Sequence, residues 1–203
     1  MTEKDPSPRL ARLRREQITP EMQAMFDLFA GSTDLNIEDN HVLNTLAQHP
    51  QLAAQYLPFN HYLLRESSLP VRLRQIAILR LSWRINATYQ WSSHLRTSLR
   101  NGLNPDDFEC VKGANNSHHW TAQERTILRA TDELIDHHAL SDDAWAALNE
   151  FLTTREILDF LFTVGAYQLL GGVLNSVRVD REEELLQLAA QFGAPPTAIP
   201  SSP

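Results

Sequence analysis

The chain has 203 residues, 42% of them apolar and 21% charged, which is the composition of a soluble globular protein with enough material for a real core. A formal charge of −7 argues against nucleic acid or an anionic membrane as a partner. The single cysteine, Cys110, excludes an intrachain disulfide and any CxxC pair for thiol redox or zinc. The N-terminus has no apolar signal segment, and no apolar run is read as approaching the ~20 residues of a membrane span. The expected location is therefore cytoplasmic.

Residues 1–18 read as a polar N-terminal extension in which Leu10, Leu13 and nearby arginines can lie across a neighbouring surface. Thr19-Pro20-Glu21 starts a helix: threonine caps, proline suits the first turn, and glutamate suits the positive end of the dipole. It carries Met22, Met25, Phe26 and Phe29 inward and stops at Gly31-Ser32-Thr33. A helix follows over about 40–48, and Pro50 opens another over about 51–65. The central helix begins at Leu69-Pro70, with a broad apolar face of Val71, Ile76, Leu79, Leu81 and Trp83. A break near Asn86 leads to a helix from about Thr88 to Asn101, ended by Gly102.

Asn104-Pro105 caps a short helix containing Cys110, and 113–120 is a polar loop. Thr121 and Glu124 form a capping-box pattern that opens a helix to about His137. Ser141 opens the next, to about Leu152, and Thr153 or Thr154 caps a long apolar helix over 155–176 interrupted by Gly171-Gly172. A last amphipathic helix spans about 180–192, and 193–203 is a flexible Pro/Ser tail. No strand alternation is visible, so the fold class is all-α, with one helical domain over 19–192.

The most informative stretch is the central helix with four arginines, Arg72, Arg74, Arg80 and Arg84, running into Tyr89-Gln90-Trp91 and His94. Gln90 and His94 are one turn apart on a helix, with Ala87, Trp91 and Ser98 adjoining. That face offers one titratable group, one amide, a hydroxyl and an aromatic wall. A histidine both accepts and donates protons near neutral pH; the plainer reading is a core histidine bonded to a carbonyl. Tyr89 and Trp91 point roughly 200° apart, so one can line a pocket while the other packs. Gln75 can hold a substrate carbonyl or bridge helices. Arg80, in the most apolar part of its helix, can bind a carboxylate bidentately; the alternative for all four arginines is pairing with Asp and Glu. His118-His119 and His137-His138 lack metal-ligand spacing, so no metal site is expected.

The segment Leu69-Pro70, Arg72, Arg74-Gln75-Ile76-Ala77-Ile78-Leu79-Arg80, Trp83-Arg84, Ala87, Tyr89-Gln90-Trp91, His94 and Gly102-Leu103 resembles the carboxymuconolactone decarboxylase family, which includes the alkylhydroperoxidase D-like proteins. The likeness extends from Asn44–Pro50 through Glu124-Arg125 and Ala130–Leu134 to Phe162–Tyr167 and Leu174-Asn175. It implies an all-helical domain that forms homo-oligomers (dimer, trimer or hexamer), with pockets near subunit contacts. It also implies two kinds of chemistry: thiol peroxidase action by a CxxC pair, or cofactor-free decarboxylase-like action without metal or organic cofactor.

The positions of the thiol pair hold Ala87 and Gln90, so peroxide reduction by that route lacks both sulfurs. Gln75 and Gln90 also stand where relatives carry glutamates, and an amide cannot exchange a proton near neutral pH. The expectation is a cofactor-free lyase or isomerase acting by proton transfer on a small carboxylated or carbonyl-bearing metabolite. His94, Tyr89 and Gln90 are the expected catalytic group; Arg80, Gln75, Trp91 and Tyr167 are expected to bind substrate. The alternative is a non-catalytic ligand-binding or structural protein on the same scaffold.

Overall fold

The computed structural model describes residues 7–30, 37–113 and 118–196. The inward placement expected for Phe29, the stop at Gly31-Ser32-Thr33 and the tail from residue 197 lie outside what is described of the side chains and backbone. Among the described residues all regular structure is helical: α1 Pro20–Ala30, α2 His41–Ala47, α3 Pro50–His61, α4 Val71–Arg84, α5 Thr88–Arg100, α6 Pro105–Lys112, α7 Ala122–His137, α8 Asp142–Asn149, α9 Thr154–Val177 and α10 Glu183–Phe192.

The helix starts follow local chemistry. Asn40, Asn104, Thr121, Ser141 and Thr153 each accept a backbone N–H of the first turn, a contact worth about 1 kcal/mol. Asn86 takes φ 55°, a left-handed conformation that asparagine tolerates, and it turns the chain from α4 into α5. Gly102, at φ 83°, occupies the same region after α5, where a side chain would be strained.

Helix α4 is the hub: α5, α6, α7 and α9 all pack on it. Ile76, Ala77, Leu79, Trp91, Leu95, Ile127, Phe160 and their neighbours form the main core. A second cluster of Phe26, Ile37, Ala47, Ala53 and Leu57 joins α1, α2 and α3. The N-terminal extension lies against its own domain. Asn44 exchanges hydrogen bonds with the backbone of Leu13 at 2.8 and 3.0 Å, and Arg9 reaches the carbonyls of Ser176 and Val177 with its side chain and N–H.

Three expectations are corrected. The helix expected over 51–65 ends at His61 and continues as a π turn, Tyr62–Glu66, closed by Ser67 N–H on the Tyr62 carbonyl at 2.9 Å. Gly171-Gly172 does not interrupt α9, which is continuous. Gly171 is there for proximity: a Cβ would lie 2.8 Å from Ile85 Cδ1 and 3.2 Å from Ala87 Cβ. Finally, α9 is by length and composition apolar enough to cross a membrane, against the expectation that no run comes near; half of that window is buried inside the protein.

Candidate functional site

The turn at Asn86 folds α5 back along α4, so Gln75 faces His94 and Ser98 across the helix pair. His94 Nδ1 lies 2.9 Å from Gln75 Oε1, and Ser98 Oγ donates to the same oxygen at 3.1 Å. An amide oxygen only accepts. Nδ1 therefore carries the imidazole proton, and Nε2 presents a lone pair. Nε2 makes no hydrogen bond among the described residues. The Tyr167 ring, from α9, stands edge-on to the imidazole at 5.0 Å. Burial, with the positive charges of Arg74 and Arg96, pushes His94 down from its ordinary value to about 3. The ring is neutral throughout the physiological range.

Arg74 lies in the turn of α4 next to Gln75, and only 6% of its surface is exposed. Its Nη2 donates to the Leu64 carbonyl at 3.1 Å; the π turn presents that carbonyl. Nε is buried without a partner. Burial lowers the Arg74 pKa, partly countered by Tyr167 and Asp159. Asp159 is not in contact with it: its oxygens accept from Tyr62 Oη at 2.8 Å, Ser68 N–H at 2.6 Å and Ser68 Oγ at 2.7 Å. One turn further along α9, Thr163 Oγ1 is buried and unpartnered, and Tyr167 follows another turn on. Burial raises the phenols of Tyr167 and Tyr56, Tyr56 to about 12, so both stay protonated.

The remaining expected site residues go elsewhere. Gln90, one turn before His94, donates through Nε2 to Ser82 Oγ at 2.9 Å, and its buried Oε1 has no partner. Tyr89 faces α10 and donates to Glu182 at 2.8 Å. Trp91 is sealed in the main core, donates to the Gly193 carbonyl at 2.8 Å and packs on Trp83. Arg80 grips Asp132 through Nε and Nη2 at 2.8 and 2.9 Å, while Nη1 reaches the carbonyls of Val111, Lys112 and Gly113. Its fork is already filled by protein. Arg72 and Arg84 likewise pair, with Asp107 and Glu124, and with Asp132 and Asp136.

The structure thus brings together His94, Gln75 and Tyr167 and adds Ser98 and Arg74; it leaves Tyr89, Trp91 and Arg80 outside that cluster. Sequence reasoning overlooked Thr163 and Tyr56. The signal for Thr163 was its i, i+4 spacing from Tyr167 on a buried helix face; Tyr56 gave none.

Residues 50–133 match the carboxymuconolactone decarboxylase family. The likeness read from the sequence, to the carboxymuconolactone decarboxylase and alkylhydroperoxidase D-like superfamily, is supported by that match and by the folds below. Solved structures share the fold at low identity. A peroxidase-related protein with an alkylhydroperoxidase AhpD core, from Ralstonia eutropha JMP134, aligns with a TM-score of 0.72 at 16% identity over 97% of this chain and 99% of its own. A cysteine-to-alanine variant of the debrominase Bmp8 in complex with 2,3,4-tribromopyrrole gives 0.73 at 14% identity, covering 93% and 99%. A protein of unknown function from Agrobacterium tumefaciens gives 0.63 at 21% identity, covering 68% and 95%. No curated protein matches the sequence at a significant level. At these identities the likeness to solved structures is one of fold. The family match and these folds support an enzyme-like scaffold.

Proposed function

We propose that the protein is a cofactor-free enzyme that moves a proton next to a carbonyl in a small carbonyl-bearing or carboxylated molecule, with His94 as the base. The observation that carries this reading is the Gln75–His94 bond. It fixes the imidazole tautomer with Nδ1 protonated and leaves the Nε2 lone pair facing no protein donor. In the step envisaged, Nε2 takes a proton from the carbon beside the carbonyl, and the C–H electron pair moves onto the carbonyl oxygen as an enolate. Returning the proton at another carbon gives isomerisation. If a carboxylate leaves as carbon dioxide, its bonding pair forms the enolate, and a solvent proton taken up through His94 Nε2 quenches it. The Tyr167 phenol, protonated at all working pH values, supports the developing oxyanion by donating a hydrogen bond.

The test is deuterium wash-in. A panel of 3-oxo acids and unsaturated lactones is incubated with protein in heavy water and read by NMR. Exchange that the His94→Asn variant loses by ~100-fold or more supports the reading, since positioned general bases contribute on that scale. Exchange unaffected by the substitution refutes it.

A non-catalytic binder on the same scaffold is favoured by the amides of Gln75 and Gln90, which offer no proton relay, and by the lowered basicity of buried His94. Binding without exchange on any compound of the panel would select it.

The homo-oligomer implied by the resemblance is supported by an uncharged stripe on α9, in which Leu158, Phe162, Leu169 and Val173 are exposed. Phe59 of α3 borders it, edge-on to Phe162 at 6.0 Å. Light scattering tests this: Leu169→Glu should lower the mass to that of one chain, and an unchanged mass would place the contact elsewhere.

A further inference from the structure

We propose that Arg74 anchors a subsite for one small organic carboxylate, beside His94 and between α4 and α9. The position of this group relative to the base rests on the proton-transfer reading above; the subsite itself does not.

Arg74 carries a charge that has no counter-charge in contact among the described residues. A guanidinium stays protonated in proteins, and buried charges are normally paired and hydrogen-bonded. Arg74 is more than nine-tenths buried, its Nε has no partner, and its one hydrogen bond goes to the Leu64 carbonyl. No carboxylate lies within ion-pair distance of it among the described residues. Asp159 acts on it only at longer range, with its oxygens committed to Tyr62 and Ser68. Arg80, two turns further along the same helix and equally buried, shows what this fold does when an arginine is structural: both sides of its fork are filled.

The surroundings define the ligand. Nε is without a partner while Nη2 is held by Leu64, and a carboxylate oxygen is a strong acceptor for such a guanidinium N–H. Thr163 Oγ1, buried without a partner, and the Tyr167 hydroxyl lie on successive turns of the same α9 face, ready to bond a further oxygen. The rest of the wall is hydrocarbon and ring: Ile78, Leu81 and Leu64 cluster with Tyr167. The positive charge of Arg65 also reaches Arg74, which reinforces the preference for an anion. Arg96, the other cation acting on His94, is already paired with Glu184 at 2.8 Å. A bound carboxylate would also cancel much of the Arg74 field on His94, so the base strengthens when the site is filled.

The experiment uses the full chain and two matched probe pairs, acetate with acetamide and benzoate with benzamide, titrated by calorimetry. At least one carboxylate should bind ~10-fold or more tighter than its neutral amide. Arg74→Gln should abolish that preference, and Arg74→Lys should restore part of it. Without ligand, Arg74→Gln should melt no lower than the parent, because it removes an unpaired buried charge. Should that variant fail to fold, the His94 Nε2 nitrogen resonance of the parent protein decides: it should move with carboxylate and stay fixed with amide. Several results would overturn the subsite: equal binding of acid and amide, no binding of either acid, undiminished preference in Arg74→Gln, or displacement by millimolar chloride, which would mark an adventitious ion only. A His94→Asn variant keeps the two proposals apart. Carboxylate binding retained with exchange lost supports both. Carboxylate binding with no exchange in the parent protein sinks proton transfer alone.

Discussion

Two ends of helix α4 carry the same residue type in opposite states. At the C-terminal end, Arg80 and Arg84 share Asp132, with Asp136 and three carbonyls at the end of α6 completing the set. At the N-terminal half, Arg74 is as deeply buried but meets one carbonyl and no carboxylate, beside a neutral histidine with an unused lone pair. The first arrangement ties α4 to α7 and the end of α6. The second leaves donors and an acceptor unspent inside the protein. The difference teaches that position in an apolar helix does not make an arginine functional; the absence of a partner from the neighbouring helix does.

The comparison can be broken most sharply at the paired end. Asp132→Asn strands Arg80 as an uncompensated buried charge and should cost about 3–5 kcal/mol in denaturant unfolding. A cost below about 1 kcal/mol would mean that the carbonyls alone hold Arg80, and the contrast with Arg74 would weaken. The turn that follows α4 is probed by Gly171→Ala. The new Cβ would meet Ile85 Cδ1 at 2.8 Å and Ala87 Cβ at 3.2 Å, so a loss of about 1–3 kcal/mol is expected from overpacking, read from thermal unfolding. No loss would show that Ile85 swings aside freely.

A further effect concerns pH. His94 titrates near 3 when folded, against an ordinary value of 6.5. The unfolded chain therefore takes up a proton between pH 6.5 and about 3 that the folded chain refuses. His94 contributes stability that is complete above pH 6.5 and declines as pH falls, by up to about 1.4 kcal/mol per pH unit inside that window. Denaturant midpoints measured at intervals should fall less steeply for His94→Asn than for the parent. Identical slopes would show that the imidazole is not shielded as described.

Helix starts were legible in the sequence because capping is local. Asn104, Thr121 and Thr153 need only the next three residues to do their work. The π turn at Tyr62–Glu66 was not legible, because it answers to Asp159, 97 residues from Tyr62. The Gly171-Gly172 pair reads both as an interruption and as a place of close helix approach; α9 is continuous there, and Gly171 meets the turn at Ile85 and Ala87 closely. In the site, helical spacing and the family likeness suffice to select His94 and Gln75, and the structure sets them in contact; their roles are the proposal made above. Choosing among the arginines was beyond the sequence. Asp132 is 52 residues from Arg80, and nothing local to either arginine says which one it will reach.

The central claim is that His94 is a neutral imidazole with its proton on Nδ1 and an open Nε2. Nitrogen NMR of the selectively labelled protein across pH 5 to 8 tests it directly. The account predicts a single Nδ1-protonated tautomer over that whole range, lost when Gln75 is replaced by leucine. An imidazolium already present at pH 6, or a proton found on Nε2, would contradict it.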